Sequence, residues 1–287
     1  MISRKHVLLL LTIVVLIAGV ALPSVRIWAT DSDVLLANVG GQTTIGAAND
    51  IGTADENFNI ATRVFQGVMV PHFPPFSPVD YGRDEPGFFA LDSGNPSIPA
   101  GASALPGNAQ VTIHFPSFTV GTHTDTMFYW DGAAAVDFQP ISIAQPAVTS
   151  SLIPSSPLAT THADGSLHQH SAWELALGPD GSPAPADGVY LLSPNASVAG
   201  LTDSKRFFML FLVDASITNE DDAGALKDGL DSGENVFNGK DYTYFQNAKA
   251  YVTDNLVPEP TGLALIGIAC VGLTGRGSRS RVGRRRG

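Results

Sequence analysis

The chain has 287 residues, of which 44% are hydrophobic and only 15% charged, a composition typical of a folded protein rather than a disordered one. Its formal net charge is −11, but nine of the 16 basic residues lie near the two ends, so residues 31–254 carry seven basic and 26 acidic side chains, a net charge of −19. A body of this charge repels phosphate backbones, which argues against nucleic-acid binding. The single cysteine, Cys270, lies in an apolar segment near the C-terminus, so the body has neither a disulfide nor a thiolate metal site.

Residues 1–29 predict a secretory signal peptide. A basic start with Arg4 and Lys5 is followed by an apolar run at residues 7–22, and the small residue Ala29 precedes an acidic stretch. We therefore expect the secretion machinery to export the chain and signal peptidase to cleave it. The alternative is an uncleaved anchor, although the apolar run is short for a spanning helix, which needs about 20 residues.

Strand patterns dominate the predicted body, residues 31–256. Apolar and polar residues alternate at residues 110–115 and 172–177, which is the period of a half-buried strand. Residues 188–192 form an apolar strand after a turn, and residues 207–213 are apolar on both faces, which indicates a central strand covered on both sides. The body is therefore predicted to be mainly β, an antiparallel β-sandwich or jelly-roll-like fold.

The end of the body has a different pattern. Residues 218–241 are acidic and rich in glycine, without the residue spacing of a calcium loop, and this predicts a solvated loop. Residues 243–256 follow a helical period, with Phe245, Ala248, Val252 and Leu256 on one face. One amphipathic helix is therefore expected to pack on the body.

Two histidines form the sharpest chemical feature of the sequence. His168 and His170 point the same way on a strand, about 6.5–7 Å apart along the chain, so their imidazoles could share a zinc or similar ion. His162 precedes an Ala-Asp-Gly turn and is the candidate third ligand, and Asp164 is a candidate ligand or supporting partner. The alternative is that these histidines are simply solvated, opposite the apolar face of the next strand.

The spacing of His168, His170 and Glu174, followed by Gly181, resembles part of the first motif of the cupin family. This resemblance implies a metal-dependent jelly-roll enzyme. The expected glycine before the first histidine is displaced to Gly165, and no histidine follows His170 to supply a second motif. The chain also lacks a G-x-S-x-G elbow, a phosphate-binding loop and a G-x-G-x-x-G motif, so we expect no enzymatic activity and assign no catalytic residue.

The C-terminal segment, residues 257–287, has three parts: a Pro-Glu-Pro triplet, an uncharged apolar run at residues 262–274, and arginines that close the chain. In this arrangement it resembles the PEP-CTERM sorting signal of Gram-negative bacteria. The resemblance implies recognition by an exosortase, transient anchoring in the inner membrane, removal of the tail and delivery to the cell surface or extracellular matrix. The alternative is an ordinary C-terminal membrane anchor. The residues that carry this signal are Pro258, Glu259, Pro260, Arg284, Arg285 and Arg286.

Four short segments of the body occur in a fixed order: DEPGFFAL at residues 84–91, ADGSLHQH at 163–170, ADGVYLL at 186–192 and DSKRFFMLFL at 203–212. With these segments the body resembles a family of PEP-CTERM proteins named for repression by the zinc-uptake regulator. The chain departs from the family pattern at Lys205 and Arg206, where a proline is usual, and at Phe89, where a polar residue is usual. The family's link to zinc supply would favour a metal role for the histidine pair.

These features predict an exported, exosortase-sorted protein of the cell surface or matrix with a structural or interaction role. The alternative is a surface protein that binds zinc or another divalent metal through His168 and His170, together with His162. A cupin-like metalloenzyme is the third hypothesis.

Overall fold

The computed structural model describes residues 32–53, 56–71, 81–145, 157–175 and 184–257. The predicted signal peptide and the predicted PEP-CTERM signal from Pro258 onward lie outside these ranges, as does Gly181 of the cupin-like motif. None of the helices in the described ranges combines the length and the hydrophobicity that a bilayer crossing requires.

The described residues form 19 strands and three helices. In chain order, the elements are β1 (Ser32–Val39), β2 (Gln42–Asn49), β3 (Asn57–Asn59), β4 (Val64–Pro71), β5 (Tyr81–Arg83), β6 (Phe88–Ala90), β7 (Gln110–His114), β8 (Phe118–Val120), β9 (His123–Asp125), β10 (Met127–Trp130), β11 (Gln139–Pro140), α1 (Ile141–Ala144), β12 (Ala159–Thr160), β13 (Leu167–Gln169), β14 (Trp173–Leu175), β15 (Gly188–Leu192), β16 (Asn195–Val198), β17 (Phe208–Val213), α2 (Glu220–Ser232), β18 (Val236–Phe237), β19 (Lys240–Asp241) and α3 (Thr243–Asn255).

A seven-stranded sheet, the main sheet, forms the centre of the fold, with strand order β11-β10-β15-β17-β4-β5-β14. Strand β17 lies in its middle and is buried along its whole length. Met209 and Phe211 point into one hydrophobic core, whereas Phe208 and Leu210 point into another on the opposite face. This confirms the prediction of a central strand covered on both sides, because alternate residues of a strand face opposite ways.

The first core lies between the main sheet and two smaller sheets, of order β13-β6-β1-β2-β3 and β12-β7-β16. Val34 and Phe88 from the five-stranded sheet and Val111 from the three-stranded sheet join Phe65 and Phe211 from the main sheet in this core. The packing of sheets confirms the predicted mainly β, sandwich-like body. The strand pairs are antiparallel apart from β1 with β6 and β17 with β4, which are parallel.

The second core lies on the other face of the main sheet, where the two long helices pack. The predicted amphipathic helix is confirmed as α3, with Phe245, Ala248 and Val252 fully buried. Burying a side chain such as Phe245 contributes roughly 1.5–3 kcal/mol. The face of α3 that the sequence predicted is therefore the face that attaches the helix to the sheet.

The prediction of a solvated loop at residues 218–241 is wrong for its first half, which forms α2. Asn219 caps this helix, with its side chain accepting a hydrogen bond from the backbone N–H of Asp222, and three acidic residues in the first turn favour its N-terminus. Leu226 and Leu230 are buried, and Gly233 ends the helix in a left-handed conformation at φ 87°. Most of the acidic residues that suggest a loop lie in the first turn or on the exposed face of this helix, Gly233 is its C-cap, and Asp231 is buried.

Candidate metal centre

The two candidate histidines lie together at the edge of the five-stranded sheet. Strand β13 pairs only with β6 in this sheet, with Leu167 pointing into the core and His168 pointing outward. His170 follows the strand on the same outward side, and its Nε2 atom lies 3.1 Å from Nε2 of His168. The side chains are 51% and 40% exposed, respectively. The structure therefore brings the two imidazoles together, as the spacing predicts.

A tight turn leads into β13 and sets its position. The Asp164 carboxylate accepts hydrogen bonds from the backbone N–H and the hydroxyl of Ser166, which lower the pKa of this exposed carboxyl. Gly165 has φ 87°, and a Cβ there would lie 2.2 Å from the carbonyl oxygen of Leu105, so only glycine fits. Asp164 therefore belongs to the turn, as does the exposed residue His162, whose backbone carbonyl accepts from Gly165 N–H.

The third potential metal ligand of the cluster is Asp33, at the start of β1, which was not predicted from the sequence. Its Oδ2 atom lies 3.4 Å from Nε2 of His168 and 3.9 Å from Nε2 of His170. Asp33, His168 and His170 are the three side chains among the described residues whose potential ligand atoms gather within 4.8 Å of one another. His162, the predicted third ligand, is not a member of this group. Asp33 is the third potential ligand instead.

Gly87 allows Asp33 to reach the histidines across an intervening strand. Strand β6 separates β1 from β13, which places the outer strands about 9–10 Å apart. Phe88 is in register with Val34 on one side and Gln169 on the other, so Gly87 lies level with Asp33 and His170. A Cβ at Gly87 would lie 3.1 Å from Asp33 Oδ1 and 3.1 Å from His170 Nδ1. Because Gly87 has no side chain, Asp33 and His170 can approach each other in the space beside it.

Gly87 also orients the carboxylate. Its backbone N–H donates to Asp33 Oδ1 at 2.7 Å. This hydrogen bond holds Oδ1 toward β6 and directs Oδ2 to the imidazoles. A backbone hydrogen bond therefore fixes the Asp33 carboxylate. This makes it a more rigid metal ligand than a carboxylate on a solvated loop.

Aromatic side chains form one wall of the cluster. The ring of Phe89 meets the His168 imidazole edge to face, with centroids 5.5 Å apart. On its other side Phe89 stacks on Phe58 of β3 at 5.8 Å and an interplanar angle of 6°. Phe89 therefore packs between Phe58 and His168 and restricts the rotation of the imidazole.

Glu174 and the other described histidines lie elsewhere. The chain leaves the five-stranded sheet after His170, and Glu174 belongs to β14, where it pairs with Gly82 of the main sheet. Glu174 is buried there and is not part of the Asp33 cluster. His114 shares a hydrogen bond with Ser197 at 2.9 Å, and His123 lies in the β8–β9 hairpin.

The comparisons with known proteins give no match: no family model, no curated protein and no solved structure is similar to this chain. The resemblances to the PEP-CTERM, zinc-regulator and cupin families therefore stay predictions.

Proposed function

We propose that this protein binds a zinc ion through Asp33, His168 and His170 and does so at the cell surface. The observation that carries the proposal is the triangle of donor atoms, with sides of 3.1, 3.4 and 3.9 Å. A tetrahedral zinc ion with bonds of about 2.0–2.1 Å has ligand atoms about 3.3–3.4 Å apart. The cluster is thus close to the spacing that zinc requires.

The chemistry of the donors supports zinc over calcium or magnesium. Imidazole nitrogen suits zinc and related transition metals, whereas calcium and magnesium prefer sets of oxygen ligands. The Asp33 carboxylate supplies one negative charge and is only 10% exposed, so water screens it less than a surface carboxylate. Three protein ligands leave a fourth position for water or for a ligand from another molecule.

The exposure of the cluster supports binding rather than a cupin-like reaction. Such an enzyme requires an enclosed apolar pocket around its metal. His168 and His170 are instead half-exposed on the outer side of an edge strand. We therefore favour metal capture or metal-dependent stabilisation as the role of this cluster.

The surface location is the second part of the proposal and rests on the two ends of the sequence. A signal peptide at residues 1–29 would direct export, and the PEP-CTERM signal at residues 257–287 would direct an exosortase to sort the protein. Intact-mass analysis of the native protein tests this part: the expected mass lacks both segments. Recovery of a chain that retains Arg286 would instead indicate a plain membrane anchor.

Calorimetric titration of the purified protein with zinc tests the metal site. We expect one zinc ion per chain, with binding abolished in the double variant His168→Ala/His170→Ala. The double variant His114→Ala/His123→Ala removes the same number of imidazoles elsewhere and is expected to bind like the native protein. At a zinc concentration about 100 times the Kd, binding should stabilise the native protein by about 2.7 kcal/mol.

Equal, weak binding by the native protein and the His168→Ala/His170→Ala variant would refute the zinc site. In that case the protein would be a structural or interaction component of the surface or matrix.

A further inference from the structure

The few cations of the acidic body are unevenly distributed. The body has seven basic residues, and four of them pair with carboxylates: Arg83 with Glu85, Lys240 with Asp214, and both Lys227 and Lys249 with Asp231. The other three, Arg63, Lys205 and Arg206, form no ion pair with a described carboxylate. These three line two neighbouring clefts, so the cations without an ion pair to a described carboxylate lie close together.

The smaller cleft has a volume of about 190 Å³. It lies where β2 begins, beside the segment that leads into β4, and Lys205 closes one side. Its lining is almost entirely polar: Gln42, Thr43, Thr44, Ile45, Arg63 and Lys205. Lys205 also lines the second cleft, which contains Arg206, so this lysine is common to both.

The Arg63 guanidinium is held in place without a carboxylate. Its Nη1 atom donates to the backbone carbonyls of Ile45, Ile60 and Thr62. Burial lowers the pKa of Arg63, as expected for a partly desolvated cation. The hydrogen bonds that Arg63 makes within the described residues all use Nη1. They therefore hold one end of the guanidinium group in place.

Thr43 adds an independent sign that the cleft binds a ligand. This residue is only 1% exposed, and its hydroxyl Oγ1 has no hydrogen-bond partner among the described residues. Buried hydroxyl groups in folded proteins almost always have a partner, because leaving one unsatisfied is unfavourable. A ligand in the cleft would supply the missing acceptor.

We propose that this cleft binds an oxyanion, the carboxylate or phosphate group of a small polar molecule. The Lys205 ammonium and the Arg63 guanidinium supply the charge, and the Thr43 hydroxyl donates a hydrogen bond to an anion oxygen. Charge-assisted hydrogen bonds of this kind are stronger than neutral ones, and arginine matches the geometry of both carboxylate and phosphate. The site is independent of the zinc cluster, which lies toward the other end of the β1–β2 hairpin.

The test uses three probes on the purified protein at low ionic strength: inorganic phosphate, glucuronate, and glucose as the neutral counterpart of glucuronate. Calorimetry or chemical-shift titration should show binding of phosphate or glucuronate and none of glucose. Phosphate alone would identify a phosphate site, and glucuronate alone a carboxylate site. Raising the salt concentration should weaken the binding, because the attraction is electrostatic.

Two variants locate the site. Lys205→Met should weaken binding about tenfold or more, because it removes a charged partner. Thr43→Val removes a hydroxyl that has no protein partner, so it should also weaken binding while leaving the melting temperature of the ligand-free protein unchanged or higher. Thr112→Val, on β7 and away from both clefts, is the matched control and should bind like the native protein.

Three results would overturn the proposal: no binding of either anion, binding of glucose equal to that of glucuronate, or anion binding unchanged in both Lys205→Met and Thr43→Val. A fall in the melting temperature of Thr43→Val would show that its hydroxyl has a partner in the protein, and would also count against the site.

Discussion

Two clusters in this molecule are built alike but lie in different surroundings. Each combines one aspartate with two basic side chains, Asp33 with two histidines and Asp231 with two lysines. The distances are alike: 3.4 and 3.9 Å from Asp33 to the imidazoles, and 3.1 and 3.6 Å from Asp231 to the ammonium groups of Lys227 and Lys249. Imidazole can ligate a metal and ammonium cannot, and the surroundings of each cluster separate their roles further.

Burial is the difference between them. The two histidines are 51% and 40% exposed, whereas Lys227, Asp231 and Lys249 are between 2% and 8% exposed. In the buried cluster both carboxylate oxygens are occupied, because Gln66 of β4 also donates to Asp231 at 2.6 Å. Burial lowers the pKa of Lys249, and the nearby Asp231 opposes this effect. The buried cluster thus joins α2, α3 and the main sheet.

The comparison shows how exposure assigns a role to a charged cluster. A buried charge is tolerated only when its partners stay in place, so the Asp231 cluster contributes to folding. The Asp33 cluster lies at the surface, where an ion can enter and where imidazole can exchange one partner for another. The following predictions separate these roles, beginning with the largest expected effect.

Asp231→Ala should lower the free energy of unfolding by about 3–5 kcal/mol, because two buried lysines lose their counter-charge. Urea denaturation measures this loss, and zinc affinity at low urea should be unchanged. Asp228→Ala, at an exposed position of the same helix, is the control and should cost less than about 1 kcal/mol. Similar losses in both variants would contradict a structural role for the buried cluster.

Asp33→Asn should have the reverse effects, a small change in stability and a large loss of zinc affinity. The amide oxygen can still accept the hydrogen bond from Gly87, so we expect the free energy of unfolding to change by less than about 1 kcal/mol. Zinc affinity should fall at least about tenfold, since the anionic ligand is gone. Calorimetry with zinc checks this prediction, and unchanged affinity would remove Asp33 from the site.

Gly87→Ala should weaken zinc binding about tenfold without unfolding the protein. The added Cβ, 3.1 Å from Asp33 Oδ1 and from His170 Nδ1, requires both side chains to move apart by a few tenths of an ångström. The measurement is again a zinc titration, paired with thermal unfolding of the metal-free protein. Native affinity in this variant would show that the gap at Gly87 does not matter.

Gly224→Ala should give the smallest effect, a stabilisation of about 0.5–1 kcal/mol. Gly224 lies in α2, and the nearest atom to an added Cβ is Nη2 of Arg83 at 3.9 Å, so alanine fits without strain. Alanine loses less backbone entropy than glycine when the helix forms. Urea denaturation measures the gain, and the unchanged zinc affinity expected here makes this variant the control for Gly87→Ala.

Much of the fold can be predicted from local pattern. Strand β7 has Val111 and Ile113 buried, with His114 exposed, as the alternation of residues 110–115 predicts. Strand β17 and helix α3 also form where their periods indicate. These predictions succeed because each depends on the spacing of apolar residues along one segment, and that spacing reports which face is buried.

Helix α2 shows where local pattern is insufficient. Its sequence contains Gly224, Gly229 and several aspartates, all weak helix formers. The helix forms because Leu226 and Leu230 pack on the main sheet and because Lys227 and Asp231, one turn apart, meet Lys249 and Gln66. Burial against the rest of the fold here outweighs the low helix propensity of the segment. The sequence of residues 218–241 alone does not show which residues it will pack against.

The candidate metal centre was also only partly predictable from the sequence. The spacing of His168 and His170 by itself determined that two imidazoles point the same way, because residues two apart on a strand share a face. Only the tertiary structure decided the third donor, since Asp33 is distant in sequence and reaches the histidines by the pairing of β1, β6 and β13. Gly87 has no side-chain chemistry of its own, and it matters because that pairing places its missing side chain between the ligands and its backbone N–H against the Asp33 carboxylate.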